Sequence, residues 1–205
     1  MKKNAILLIG PTGSGKTPLG EYLAQHGFNG FRFAHFDFGE RLRQAANNQW
    51  NCGLLPEDLQ QLKTILATGA LLENHTFYLA EKIISHFNST TPAQAVILNG
   101  LPRHIEQAKA ISPWFDIRLV VRLICDAQTV IERIESNSGK DRTNRNDDDL
   151  ELVKKKLTIF ETRTAPLCDW FTSCHIPVVN VTVETITSPA HIANELKKKS
   201  FPLSF

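Results

Sequence analysis

The chain has 205 residues, 42% of them hydrophobic and 21% charged, and its 23 basic and 21 acidic side chains leave a formal charge of +2. That size suits one compact domain with a core of its own, and the balance argues against a disordered chain or the concentrated basic stripe of a nucleic-acid binder. No run approaches the roughly 20 apolar residues of a membrane span, and Cys52, Cys125, Cys168 and Cys174 lack the spacing of a zinc knuckle or redox pair. A cytoplasmic monomer with reduced thiols, and without nucleic-acid or membrane partners, is expected.

The apolar run Ala5 to Ile9, behind Lys2 and Lys3, leads into a glycine loop with no small-residue cleavage site, so it reads as a first strand rather than a leader. Helical spacing follows from Gly15 to His26, and a second strand is predicted from Gly30 to Phe36. Three helical stretches come next, Gly39 to Asn47, Pro56 to Ala67 and Leu72 to Phe87. One crossover does not need so many, which predicts a helical insertion over residues 37–87. Strands Ala95 to Leu98, Ile117 to Ile124 and Ile176 to Val181 then alternate with helices Arg103 to Ile111, Ala127 to Ser136, Asp148 to Arg163 and Pro189 to Lys199. Asp126 and Ser188 read as N-caps, and residues 136–149, almost without apolar side chains, read as an exposed loop. The rhythm is that of an α/β protein, a parallel sheet covered by helices on both faces. The lysine runs 154–156 and 197–199 read as solvated helix faces.

Directly after the first strand stands Gly10-Pro-Thr-Gly-Ser-Gly-Lys16-Thr17, a full match to the phosphate-binding P-loop pattern, with a helix behind it. Gly10, Gly13 and Gly15 allow the backbone to turn its N–H groups onto phosphate oxygens, and Ser14 completes the loop. Lys16 supplies a point charge, and the Thr17 hydroxyl is placed to ligate Mg2+. ATP and Mg2+ are therefore the expected ligands. The Asp37-Phe-Gly39 triplet, which spells a kinase magnesium motif, lacks the rest of that set and is read as coincidence.

Four further blocks stand out: His35-Phe-Asp-Phe-Gly-Glu-Arg-Leu-Arg43, Thr68-Gly-Ala-Leu-Leu72, Asn99-Gly-Leu-Pro-Arg103-His-Ile-Glu-Gln107, and Arg145-Asn-Asp-Asp148 with Lys154-Lys-Lys156 and Ala165-Pro-Leu167 behind it. Together they resemble the adenylate kinase family of nucleoside monophosphate kinases. The resemblance implies transfer of the γ-phosphoryl group of ATP to a nucleoside monophosphate, AMP being the first acceptor to try. It also implies a five-stranded parallel sheet, an acceptor-binding insertion and a short lid over residues 136–149. It assigns Lys16, Arg43, Arg103, Arg145 and Lys156 to catalysis, and Phe38, Gly39, Arg43, Leu72, Gly100, Arg103 and Gln107 to the acceptor. Thr17 would hold the metal, with Glu40 and Asn99 acting through water.

Elementary electrostatics points the same way, since two polyanions meeting in a water-poor cleft need cations from several segments, and arginine grips phosphate bidentately. The chain departs from the family at Asn99, where an Asp is usual, at Phe38 for Thr, and at Asn137 and Lys156 for Arg; Arg142 is a candidate for the missing cation. Two alternatives stay open. One is a P-loop kinase for a small hydroxylated metabolite, with Asp37 acting on its hydroxyl; the other is a nucleotide-binding module with weakened catalysis.

Overall fold

Five apolar segments become strands: β1 (Lys3–Ile9), β2 (Ala34–Asp37), β3 (Ala95–Asn99), β4 (Phe115–Ile124) and β5 (Val178–Thr182). They pair in the order β2-β3-β1-β4-β5, every ladder parallel. The computed structural model describes residues 2–139 and 150–199; the lid expected at 136–149 falls outside them from residue 140 on, together with Arg142, Arg145 and the acidic run 147–149.

Alternation along β1 shows how the sheet is clad. Ala5, Leu7 and Ile9 join a core with α2 (Phe38–Ala46), α4 (Tyr78–Thr90), α5 (Ile105–Ile111) and α8 (Leu167–Ser173). Ile6 and Leu8 face the opposite core, closed by α1 (Lys16–His26) and α9 (Pro189–Lys198). Successive strand side chains point to opposite faces, so a strand apolar at every position must be covered twice. The α/β architecture expected from the sequence is thus present, with β1 at its centre. Asp126 and Ser188 cap α6 (Ala127–Glu135) and α9, accepting from the Thr129 N–H at 2.7 Å and the His191 N–H at 3.2 Å.

Three boundaries differ from the expectation. The second strand starts at Ala34, because Phe28 and Phe31 pair with each other across Asn29-Gly30, both at positive φ (48° and 81°), in a tight hairpin turn. The helix expected from Leu72 starts at Tyr78. A 3-10 turn, Asn74–Thr76, precedes it, and the Thr76 hydroxyl accepts from the Glu73 N–H and donates to the Glu73 carbonyl, both at 3.0 Å, in competition with helix bonding. After α7 (Leu150–Ile159) a wide turn, Phe160–Thr164, separates off α8, an apolar-faced helix too short to show clear periodicity.

Between β2 and β3 lie α2, α3 (Pro56–Thr68) and α4. Asp58, 3% exposed, ties α3 to α4: it accepts from the Leu55 N–H at 2.9 Å, the Tyr78 hydroxyl at 2.8 Å and the Lys82 ammonium at 2.8 Å. Burial alone would push its carboxyl up, but the bonds from Lys82, the Leu55 N–H and Tyr78 together outweigh it and hold the pKa below the ordinary value. A depressed carboxyl contributes stability that is present above the unfolded pKa of about 4 and lost as pH falls through the folded one. Asp58→Ala is expected to lower stability by roughly 2 kcal/mol near neutrality, through the donors it strands, and to flatten the acid limb of stability below pH about 4. Urea melts of both proteins across pH measure this, and parallel acid limbs would count against the assignment.

Candidate active site

β1 lies between β3 and β4, so the crossovers leave it in opposite directions and open a crevice at its carboxyl end, where open parallel sheets bind ligands. The loop from Gly10 to Gly15 fills that crevice and runs into α1. Gly13 and Gly15 take φ of 75° and 92°, and a Cβ on Gly15 would stand 3.0 Å from a nitrogen of Arg133. Only glycine meets both demands. The Lys16 ammonium donates to the Gly10 and Pro11 carbonyls at 2.8 and 2.6 Å. Ser14 is fully buried, and its hydroxyl oxygen, packed against Gly10, has no partner among the described residues. A concave, glycine-lined loop with a lysine at its mouth fits a bound phosphate chain.

Three segments meet at Thr17. Its hydroxyl donates to Asp37 Oδ2 at 2.6 Å, and the Asn99 amide nitrogen donates to Thr17 Oγ1 at 3.0 Å and to Asp37 Oδ2 at 2.7 Å. Asp37 Oδ1 caps α2 through the Glu40 N–H at 3.0 Å. Asn99 is 3% exposed, and its carbonyl oxygen is without a partner among the described residues. The Glu40 carboxylate, expected at the metal's water shell, is instead bonded to Arg43 at 2.9 Å and Gln44 at 3.1 Å.

One cleft runs from the phosphate loop outward. Its walls are Thr12, Gly13 and Gly15 to Thr17 of the loop, Asp37 at the end of β2, Phe38, Gly39 and Arg43 of α2, Gly69 to Leu72 after α3, Asn99 to Leu101, Arg103 and Gln107 after β3, and Lys156 of α7. Most of the residues expected from the sequence are therefore neighbours, although five distant stretches supply them. The Arg103 guanidinium has no hydrogen bond or ion pair among the described residues, and its dehydration pulls its pKa below the ordinary arginine value. A dehydrated cation facing a cleft is the mark of an anion site. Arg43 is half-buried and pairs with Glu40.

Gln107, expected at a base edge, is 2% exposed and already bridges two blocks: its oxygen accepts from the Arg103 N–H at 2.7 Å and its nitrogen donates to the Leu72 carbonyl at 2.8 Å. One N–H and one lone pair of that amide remain for a ligand. Phe38 is 4% exposed and leans on Phe36, with Gly100 close behind its Cβ.

Two features escaped the sequence reading. Arg133 of α6 is buried, donating to the Gly13 carbonyl at 3.0 Å and to the Glu184 and Thr185 carbonyls at 2.7 and 2.9 Å, so it braces the phosphate loop against the segment after β5. In sequence it stands between Ile and Glu residues and looks like any exposed helical cation. The sequence reading gives Asp37 a role only toward an acceptor hydroxyl and sets its magnesium-motif triplet aside as coincidence, although its place at the end of the strand beside β3 is an available signal.

The chain is matched by the family model described as adenylate kinase over residues 8–176. It is 30% identical over 205 residues to the adenylate kinase of Porphyromonas gingivalis, covering 95% of this chain and 98% of that one. It is 27% identical over 171 residues to that of Parabacteroides distasonis, with 81% and 83% covered, and 27% over 197 residues to that of Brucella ovis, with 89% and 94% covered. A family match running from the end of β1 through β2, β3 and β4 as far as α8, added to a phosphate loop at the crevice of the sheet, leads to one conclusion: the chain belongs to the adenylate kinase family.

Proposed function

We propose that the protein transfers the γ-phosphoryl group of ATP to a nucleoside monophosphate, giving two nucleoside diphosphates, with AMP the first acceptor to test. The observation that carries this reading is the single cleft shared by Lys16, Arg43, Arg103 and Lys156, which gathers cations from four chain segments at the carboxyl edge of the sheet. Direct in-line transfer needs little from a protein beyond alignment and charge neutralisation, and this arrangement is built for both.

The phosphate loop would take the donor. Lys16, held now by two loop carbonyls, would exchange them for phosphate oxygens, a charge-assisted and therefore stronger bond. Thr17, Asp37 and the Asn99 carbonyl oxygen, which has no partner among the described residues, form a set of hard oxygen atoms that fits magnesium and its waters. When bound, magnesium supplies positive charge across the transferring phosphates. Arg103 and Arg43 would hold the acceptor phosphate, Arg43 releasing Glu40 to do so. Phe38 and Leu72, both buried at the cleft wall, would flank the base, and Gln107 would read its edge with its remaining donor and acceptor. Arg145, outside the described residues, and Lys156 would approach from the lid side. The insertion over 37–87 and the lid over 136–149 are thus the acceptor-binding and closing parts of the proposed enzyme.

Coupled ADP-release assays with Mg2+ and ATP across AMP, CMP, UMP, GMP and their deoxy forms, beside sugars and other small alcohols, are expected to show turnover with a monophosphate. Turnover of an alcohol alone would overturn the reading. In the same assay Arg103→Ala is expected to lower kcat/KM by about 100-fold or more, the scale of losing one transition-state charge contact, with Arg103→Lys intermediate because it keeps charge without the fork. Activity retained within a few-fold in Arg103→Ala would remove that residue from the acceptor site.

A further inference from the structure

We propose that Asp37 is the carboxylate that holds the water shell of the triphosphate's magnesium ion, and that Asn99 is the neutral donor that orients it. The inference rests on the proposed binding of ATP with its metal at the phosphate loop, and it does not depend on which acceptor is used.

Asp37 and Asn99 are register partners at the ends of adjacent parallel strands, so their side chains leave the sheet at the same level. Thr17, the first-turn hydroxyl after the phosphate loop, bonds Asp37 Oδ2 at 2.6 Å. Among the described residues that line the cleft, Asp37 is the only carboxylate. Glu40, one turn further on, is about half exposed and committed to Arg43 and Gln44. The cleft therefore offers one negative charge beside the hydroxyl best placed to meet the metal.

Asn99 explains why the charge sits on β2. Its amide nitrogen lies 2.7 Å from Asp37 Oδ2 and 3.0 Å from Thr17 Oγ1, giving an N–H to each. A carboxylate at 99 would set two acids at hydrogen-bond distance, and one would be driven to keep its proton. An aspartate at 37 thus calls for a neutral donor at 99. The amide's other atom, a buried oxygen without a partner among the described residues, is a second independent sign of a ligand, since such an acceptor is costly unless something donates to it. Magnesium keeps several of its waters in protein sites, and those waters are donors of the required kind. The asparagine that looks like a lost catalytic acid is in this reading half of an exchanged pair.

The test is a titration of the full chain with ATP and Mn2+, followed by the paramagnetic resonance of the bound ion, with ATP affinity measured separately in EDTA. Asp37→Asn keeps the α2 cap, because asparagine caps as well as aspartate; a thermal melt checks that it folds. The expected result is a Mn2+ affinity in the ATP complex lowered by about 10- to 100-fold, the scale of losing an outer-shell partner, with ATP affinity in EDTA not weakened. The exchanged variant D37N/N99D, which returns the carboxylate to the other strand, is expected to recover most of the loss. Wild-type Mn2+ affinity in Asp37→Asn overturns the proposal, as does an exchanged variant no better than the single one. An equal loss with and without metal also overturns it, because Asp37 would then be bracing the loop. No acceptor enters the titration, so an error in the acceptor leaves its result standing.

Discussion

Everything in the cleft depends on three bonds among Thr17, Asp37 and Asn99. They join the first turn of α1 to the ends of β2 and β3, so the phosphate loop, the start of α2 and the turn that carries Arg103 cannot shift independently. Parallel strands make this possible, because β1, β2 and β3 all finish on the same edge and deliver their next residues to one place. The same bonds give partners to the Thr17 hydroxyl, to Asp37 Oδ2 and to the amide nitrogen of Asn99 at the rim of an apolar sheet, where leaving any one of these alone would be costly. Asp37 also caps α2, so the residue that sets charge at the loop sets the direction of the helix bearing Phe38 and Arg43.

Away from that triangle the cations are prepared differently. Arg103 has no partner for its guanidinium among the described residues, and burial lowers its pKa, whereas Arg43, also half-buried, rests on Glu40. An anion entering the cleft gains most at Arg103, where it cancels a desolvation penalty already present, and less at Arg43, where it must displace a carboxylate. Arg133 is different again, since its charge is spent on carbonyls of the phosphate loop and of the segment after β5. Its contribution is the shape of the loop, through five donors in one plane that a lysine could not supply.

The sheet and the phosphate loop were legible because their signals are local. Apolar runs of five residues name strands, and a glycine pattern that demands positive φ at Gly13 and Gly15 names a loop. Leu72 to Phe77 misled because their apolar spacing is helical, while the decisive bonds, Thr76 onto Glu73 and Gln107 onto Leu72, arise from a side chain's choice and from a partner 35 residues away. Asn29-Gly30 did carry a hairpin signal, and the aromatic residues beyond it drowned that signal by extending the apparent strand. Within the site, the residue types were readable and the pairings were not. Glu40 and Asp37 are both acids near the same glycine, and only the ladder between β2 and β3 decides that Asp37 is the one beside Thr17.

The lysine run at 154–156 makes the same point about helices. Composition presents three equivalent cations, yet successive helical residues point about 100° apart, so they cannot share an environment. Lys154 is exposed, Lys155 donates to the Thr68 carbonyl at 2.8 Å at the end of α3, and Lys156 lies along Gly69 and lines the cleft. The carbonyl end of α3 carries partial negative charge, which draws a cation there, and Gly69, left-handed at φ 64°, has no side chain to hold α7 away; a Cβ there would meet Leu152 at 3.0 Å and Lys156 at 3.5 Å. Lys155 therefore acts as a fixing point for α7 on the segment between β2 and β3, and that attachment aims its neighbour into the cleft.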